Sequence, residues 1–525
     1  MTGSSTESGA SGASPCDPII PGFHPDPSIC RVGDDYYLAC SSFEYFPGVP
    51  LFHSRDLVSW KQIGTVLDRP GQLRLLAAAS SGGIYAPTLR HHAGRYWLAT
   101  TNVSARTHLI VSADDPAGPW SDPVPVGDLP GIDPDLAWDE EGGCWFSYSV
   151  FPQDKQPGGI MQAPIDPFTG EVLGAPRRIW GGTGLAYPEA PHLYHINGLW
   201  YLLIAEGGTE RGHSVSVARG PNPWGPFESC PHNPILSHRS IDSPVQSTGH
   251  ADLVQAADDS WHMVLLASRP RGGTPAFHVL GRETFRTTVR WVDGWPVPDP
   301  IVPPATPAFP VPAPESASAL SSQTTVRDDF DDERLAPEWI AVRRPPSELG
   351  DLASTPGQLL LRGTGSTLDS SLPVFVARRQ QHTHSRVRAL MDSTHGCGGL
   401  AIRIDERHHY EIEAGAGRIR CTARVGPFTQ EFGTMELAVP EVLLRIETVP
   451  TRDGFGSPGS PPDVIRLGIE RSGVEGAGEF VVLGELDGRY LSTEVAGGFT
   501  GRVIGMFGYT GTVAFEWFEY QDCGP

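Results

Sequence analysis

Two aspartates and a glutamate occupy one repeating position of this 525-residue chain, and a tyrosine and a histidine complete the set. The position recurs in HPDPSIC, IYAPTLR, GIDPDLA, YPEAPHLY and TGHADLVQ, at Asp26, Tyr85, Asp133, Glu189 and His250. Each residue lies 11 or 12 positions before the middle of an aromatic-rich strand. Those strands are DDYYLA, GRYWLA, GGCWFS, GLWYLL and DSWHMV, centred on Tyr37, Trp97, Trp145, Tyr201 and His262. Taken singly, each acid has an ordinary explanation. Asp beside Pro bonds local backbone in turns, and Glu189 could be a paired or solvent-facing carboxylate. Left unpaired among the apolar and proline residues that surround it, Glu189 would be costly to bury. Three unrelated turn residues, however, need not share one phase. The chemistry that uses such a set is inverting glycoside hydrolysis, with a carboxylate base, a carboxylic acid and room for water between them, roughly 6.5–9.5 Å apart. A third carboxylate raises the pKa of the acid by like-charge repulsion and can orient it.

To meet, residues from five distant segments need a repeating scaffold. The strand centres are 60, 48, 56 and 61 residues apart, a loose but sustained period. Stacked radially, such units form a β-propeller whose equivalent positions face one central axis. The repeats predict a five-bladed propeller over 16–297. Turn clusters such as HSRDLVSW, SADDPAGPW and IDPFTGEV punctuate its antiparallel strands. Nine prolines fall between Pro296 and Pro314. That stretch lacks the N–H groups for a sheet and reads as an extended linker over 298–325. From 326 to 525, short alternating segments such as GQLLLRG, HSRVRALMD, GGLAIRID, HHYEIEAG, RVIGMFGY and VAFEWFEY predict a β-sandwich of jelly-roll type. TRDGFGSPGSPPD (451–463) reads as a surface loop, and 1–15, small and polar, as a disordered tail.

The formal charge of −22 argues against nucleic acid and anionic membrane surfaces as partners. No run of 18 apolar residues occurs, so no transmembrane helix is expected. MTGSSTESGASGASP has neither a basic n-region nor an apolar core, so no secretory signal is read and a cytoplasmic location is expected. The eight cysteines form no C-x-x-C pair and match no zinc spacing; most are expected to be reduced, buried thiols, and the even count leaves disulfides open.

The run GFHPDPSICRVGDDYYLACSSFEYFPGVPLFHSRDLVSW closely resembles the opening of glycoside hydrolase family 43 enzymes of the β-xylosidase and α-L-arabinofuranosidase branch. So do GIYAPTLR, GIDPDLAWD, YPEAPHLY, AEGGTERGHSVSVARG, TGHADLVQ and LGRETF, while LSTEVAGGFTG looks like part of the family's accessory sandwich. The resemblance implies a five-bladed propeller followed by a concanavalin-like sandwich, and hydrolysis with inversion. It implies Asp26 as general base, Asp133 as pKa modulator and Glu189 as general acid. Phe43, Tyr85 and Phe151 resemble the family's aromatic wall, and Arg282 in LGRETF a substrate-contacting arginine. His250 matches a histidine beneath the site, near a central water or cation such as Ca2+; no cofactor is otherwise expected. Phe499 resembles a sandwich residue projected over the pocket mouth. Two positions depart from the xylosidase pattern, Tyr85 where GVWAP has Trp and Tyr45 where FEWFPG has Trp; both bear on sugar preference. The expected activity is exo-action, releasing terminal β-D-xylose or α-L-arabinofuranose from xylo- or arabinoxylo-oligosaccharides, with a homo-oligomer left open. The alternatives are a non-catalytic sugar-binding propeller, either lectin or degenerate enzyme, and a retaining fructosidase-like enzyme, which would need NDPNG where this chain has HPDPS.

Overall fold

The computed structural model describes residues 14–152, 157–303, 324–451, 459–471 and 478–524. The expected tail apart from its last two residues, most of the proline-rich linker and the centre of the 451–463 loop lie outside the described residues.

Five antiparallel sheets, four of them four-stranded and one with a short fifth strand, form the first part of the chain. Their opening strands are Ser28–Val32, Thr88–His92, Ile132–Trp138, Glu189–Ile196 and Gln246–Gln255. Each touches the next, and the fifth touches the first, so they ring a central channel. The aromatic strands come second in every blade. Tyr37, Trp97, Trp145, Tyr201 and His262 pair with Cys30, Arg90, Ala137, Tyr194 and Val254. Those partners stand four or five residues beyond Asp26, Tyr85, Asp133, Glu189 and His250, which therefore share one end of the channel. These second strands are covered on both faces, which is why RYWLATTN is buried almost throughout. Blade five closes the ring by backbone bonds between Ile20 and Thr284.

One cation ties the inner strands together. The Arg90 guanidinium donates to Asp135 at 2.8 Å, to Asp252 at 2.9 Å and to His192 Nδ1 at 2.8 Å. Asp252 also accepts from the Ser28 hydroxyl at 2.7 Å and the Ile29 N–H at 3.0 Å, so blades one to five are joined through one buried network. Both carboxylates are fully buried, and pairing is what makes their burial tolerable.

The second part is the expected β-sandwich. The separate segments HSRVRALMD and GGLAIRID form one strand, Ser385–Asp405, and RVIGMFGY and VAFEWFEY form another, Val503–Asp522. These two strands pair along their length through register shifts at Leu390/Met391, Asp392/His395 and Cys397/Gly398. Bulges bend a ladder without ending it, so what reads as four short strands is two long ones. A side chain at Gly398 would strike the Phe507 carbonyl oxygen, so the close approach there requires glycine. Val387, Ala389 and Met391 alternate inward to a core with Trp339, Leu400, Ile412, Leu444 and Phe515.

The two parts share a sheet. Tyr45–Phe46, from a loop of blade one, pair with Ala341 and Val342 of the sandwich strand Ile340–Val342. Around this join lies an apolar seam that includes Phe23, Phe43, Tyr45, Ile340, Phe375 and Phe507, with Tyr85 and Phe499 at its margin. Tyr45 is fully buried in that seam, so its departure from the tryptophan pattern falls between the domains and not in the channel mouth.

Candidate active site

At the channel end defined by the repeats is a pocket of about 390 Å³. Asp26, Phe43, Tyr85, Asp133, Phe151, Glu189, His250, Arg282 and Phe499 all line it. It brings together every site residue expected from the sequence.

Local backbone explains how the inner strands aim these groups. Asp26, Phe43, Asp133 and His250 have left-handed φ values of 57°, 53°, 54° and 46°, and Ala190, after Glu189, has 53°. Non-glycine residues avoid this region, and such conformations concentrate at functional sites. Irregular registers accompany them between Ile132 and Asp135, Glu189 and His192, and Gly249 and Asp252. A register shift in the same place on three inner strands frees Asp133, Glu189 and His250 from regular pairing, and their side chains line the channel mouth.

Asp26 is 5% exposed and surrounded by donors. Arg282 Nη1 donates to its Oδ1 at 3.2 Å, the Ser41 hydroxyl donates to Oδ2, and His250 Nδ1 stands 3.5 Å from Oδ1. Burial pushes its carboxyl up, but Arg282, then His250 and Ser41, outweigh that and hold it below the ordinary range. His250 is itself driven down to about 3, chiefly by burial, and is neutral at pH 7. Asp133 moves the other way. Burial first, then the charges of Glu189 and Asp26, push its carboxyl well above the ordinary range, against one bond from the Ala190 N–H at 3.2 Å. The pocket therefore keeps Asp26 ionised and favours a proton on Asp133.

Aromatic faces make the remaining wall. Phe43 stacks on Phe499 with centroids 6.2 Å apart, and Tyr85 meets both edge-on. Arg282 reaches Thr209 Oγ1 at 2.9 Å and the Phe499 carbonyl at 3.4 Å, with its guanidinium 5.3 Å from the Phe499 ring. Burial pushes the Tyr85 hydroxyl up to about 12, so it stays protonated. Phe499 is held from behind: its N–H donates to the Ser81 hydroxyl at 2.9 Å, and the Ser81 N–H donates to Glu44 at 3.0 Å.

Several lining residues lie outside the sequence-based set. Tyr187 packs edge-on to Phe151 at 6.0 Å, and Gly208, Thr209 and Glu210 come from the loop after the second strand of blade four. His213 Nε2 stands 3.7 Å from Glu189 Oε1 beneath the wall, where a side chain at Gly249 would overlap the ring. The adjacent Gly207 and Gly208, with φ values of 90° and 76°, are the signal that could have marked this loop.

Three carboxyl groups in one propeller mouth, with Phe499 of the sandwich at its wall, define the class, a glycoside hydrolase. The model of glycosyl hydrolases family 43 matches residues 16–296, and that of the beta xylosidase C-terminal concanavalin A-like domain matches 327–521. The chain belongs to glycosyl hydrolases family 43. It is 38% identical over 530 residues to the non-reducing end alpha-L-arabinofuranosidase BoGH43B of Bacteroides ovatus, covering 96% of this chain and 94% of that protein. It is 36% identical over 512 residues to a xylosidase/arabinosidase of Butyrivibrio fibrisolvens, covering 94% and 95%. Among solved structures, the Bacteroides ovatus xyloglucan PUL GH43B superposes with a TM-score of 0.84 at 36% identity, covering 96% of this chain and 99% of that one. The xylan beta-1,4-xylosidase from Bacillus halodurans C-125 gives 0.82 at 30% identity, with 96% and 99% covered.

Proposed function

We propose that this glycosidase removes a terminal β-D-xylosyl or α-L-arabinofuranosyl residue from xylo- or arabinoxylo-oligosaccharides, with inversion. The observation that carries the reading is the contrast between Asp26, held ionised by Arg282, and the raised Asp133 beside Glu189, inside a pocket roofed by Phe499. Asp26 takes a proton from water as the water oxygen bonds to the anomeric carbon. Glu189 gives a proton to the leaving oxygen as the glycosidic C–O bond breaks. Asp133 orients the acid. Phe43, Tyr85 and Phe499 supply apolar faces for one sugar, and a pocket roofed by the sandwich favours a chain end over the middle of a polymer.

The names of the two relatives support both sugars. The positive charge of the channel is assigned to Arg90. The carboxylates that could bind a hard cation, Asp135 and Asp252, are already paired with it, and among the described residues no group of three His, Cys, Asp or Glu side chains is arranged to hold an ion. Action in the cytoplasm on imported oligosaccharides is part of the same proposal.

The test is a parallel assay of purified protein on nitrophenyl β-D-xyloside and nitrophenyl α-L-arabinofuranoside. Turnover of at least one, abolished by Asp26→Ala, supports the reading. Binding of xylo-oligosaccharide without turnover of either would favour the sugar-binding propeller instead.

A further inference from the structure

A second crevice, of about 240 Å³, opens at the seam between propeller and sandwich and shares no lining residue with the pocket of the three carboxylates. Its charged lining is unbalanced: Lys61, Arg378 and Arg379 against Glu338 alone, in a chain of net charge −22. Arg379 is the central member. It sits at the end of the sandwich strand Phe375–Arg379, is 6% exposed, and lays its guanidinium 4.6 Å from the Phe23 ring. Among the described residues no carboxylate is close enough to Arg379 to act on it, whereas Arg378 feels Glu338 and Asp328. Arg379 Nε and Nη2 are buried without a hydrogen-bond acceptor, and so is the indole Nε1 of Trp60, which lines the same crevice.

What is unsatisfied here is of one kind. Nε–H and Nη2–H form the edge of the guanidinium fork that takes two oxygens of one carboxylate or phosphate side by side. The indole N–H is also a donor and nothing else. Burial lowers Arg379 only to about 10, so the group remains charged at neutral pH and the cost of burying it stands. A phenylalanine face offsets part of that cost, but it supplies no acceptor. Neutral water could accept from single donors and would leave the charge unbalanced.

We infer that this seam crevice is a binding site for a small oxyanion, gripped side-on by Arg379 with the Trp60 N–H as a further donor and Arg378 and Lys61 as supporting charge. The shared chemistry is a planar or tetrahedral oxyanion, met as free phosphate or as the carboxylate of an acidic sugar. Such a ligand would bridge the two domains, because Trp60 and Lys61 come from blade one and Arg378 and Arg379 from the sandwich.

The experiment is isothermal titration calorimetry of the full chain with inorganic phosphate and, separately, with glucuronate, against chloride at matched ionic strength. Saturable binding of either oxyanion, weakened about tenfold or more in Arg379→Met and a few-fold in Trp60→Phe, is the expected result. The probe that saturates identifies the source. Absence of saturation by both oxyanions, equal binding of chloride, or unchanged binding in Arg379→Met would overturn the assignment. Should Arg379→Met fail to fold, Trp60→Phe and Arg378→Met decide it, since each removes a donor or a charge from a wall without emptying the seam; unchanged binding in both would equally overturn it.

Discussion

Arg282→Met should move the acid limb of the pH–rate profile upward. Burial raises the Asp26 carboxyl, and the guanidinium, 3.2 Å away, is the largest of the opposing effects that together outweigh it. At that separation a unit pair is worth about 5 kcal/mol at an effective dielectric of about 20. Measured carboxylates beside an arginine fall by about 1–3 pKa units. The lower range is the better guide, because the Ser41 hydroxyl still donates to Asp26 in the variant. The sign is fixed by the role: a base must be ionised, so a raised pKa removes activity from the acid side while leaving the alkaline side in place. We expect the acid limb of kcat/KM, which reports the free enzyme, to rise by about 1–2 pH units, equivalent to about 1.4–2.7 kcal/mol. Arg282→Met will also lose contact with the sugar at every pH, so limb position, and not overall rate, carries the inference. Arg282→Lys keeps the charge and should keep the limb near its wild-type position. Coincident acid limbs in wild type, Met and Lys variants would refute the claim that Arg282 holds Asp26 ionised.

Glu189→Ala should lose far more activity on unactivated xylobiose than on a nitrophenyl glycoside, because a good leaving group needs little protonation; steady-state kinetics on both substrates checks this, and equal losses would remove Glu189 from the role of acid. Phe499→Ala should raise KM more than it lowers kcat, as expected of binding shared by ground and transition states. Ser81→Ala, which removes the acceptor of the Phe499 N–H, should shift KM in the same direction, and the shift should vanish in a Phe499→Ala background. Arg90→Met leaves the fully buried Asp135 and Asp252 without their cation and should destabilise the protein by about 3–5 kcal/mol in urea melts.

The candidate site was legible because five segments repeat one phase, and the inner strands keep that phase through bulges that fall in equivalent places. Asp26, Tyr85, Asp133, Glu189 and His250 could therefore be read as one mouth without any knowledge of their side-chain directions. Residues from outside the repeat had no such marker. Tyr187, Thr209 and Glu210 reach the pocket from the segments flanking the first two strands of blade four, at positions the template does not number. Arg90 stood within a quoted motif, yet its role depends on Asp135, Asp252 and His192, 45, 162 and 102 residues away. The pairing of Tyr45–Phe46 with the sandwich is hidden for the same reason. Strand partners hundreds of residues apart leave no local pattern, and the composition of a two-residue strand says nothing of where it docks. The long strands Ser385–Asp405 and Val503–Asp522 were divided because bulges and glycines interrupt the alternation on which a strand is recognised.

The central claim is that water attacks from the Asp26 side while Glu189 protonates the leaving oxygen from the other. Proton NMR of the first sugar released from a β-xyloside, recorded before mutarotation, tests it most directly. The account predicts α-xylose as the first-formed anomer. First appearance of β-xylose would mean net retention through a covalent intermediate, and would contradict the assignment of Asp26 as the base that activates water.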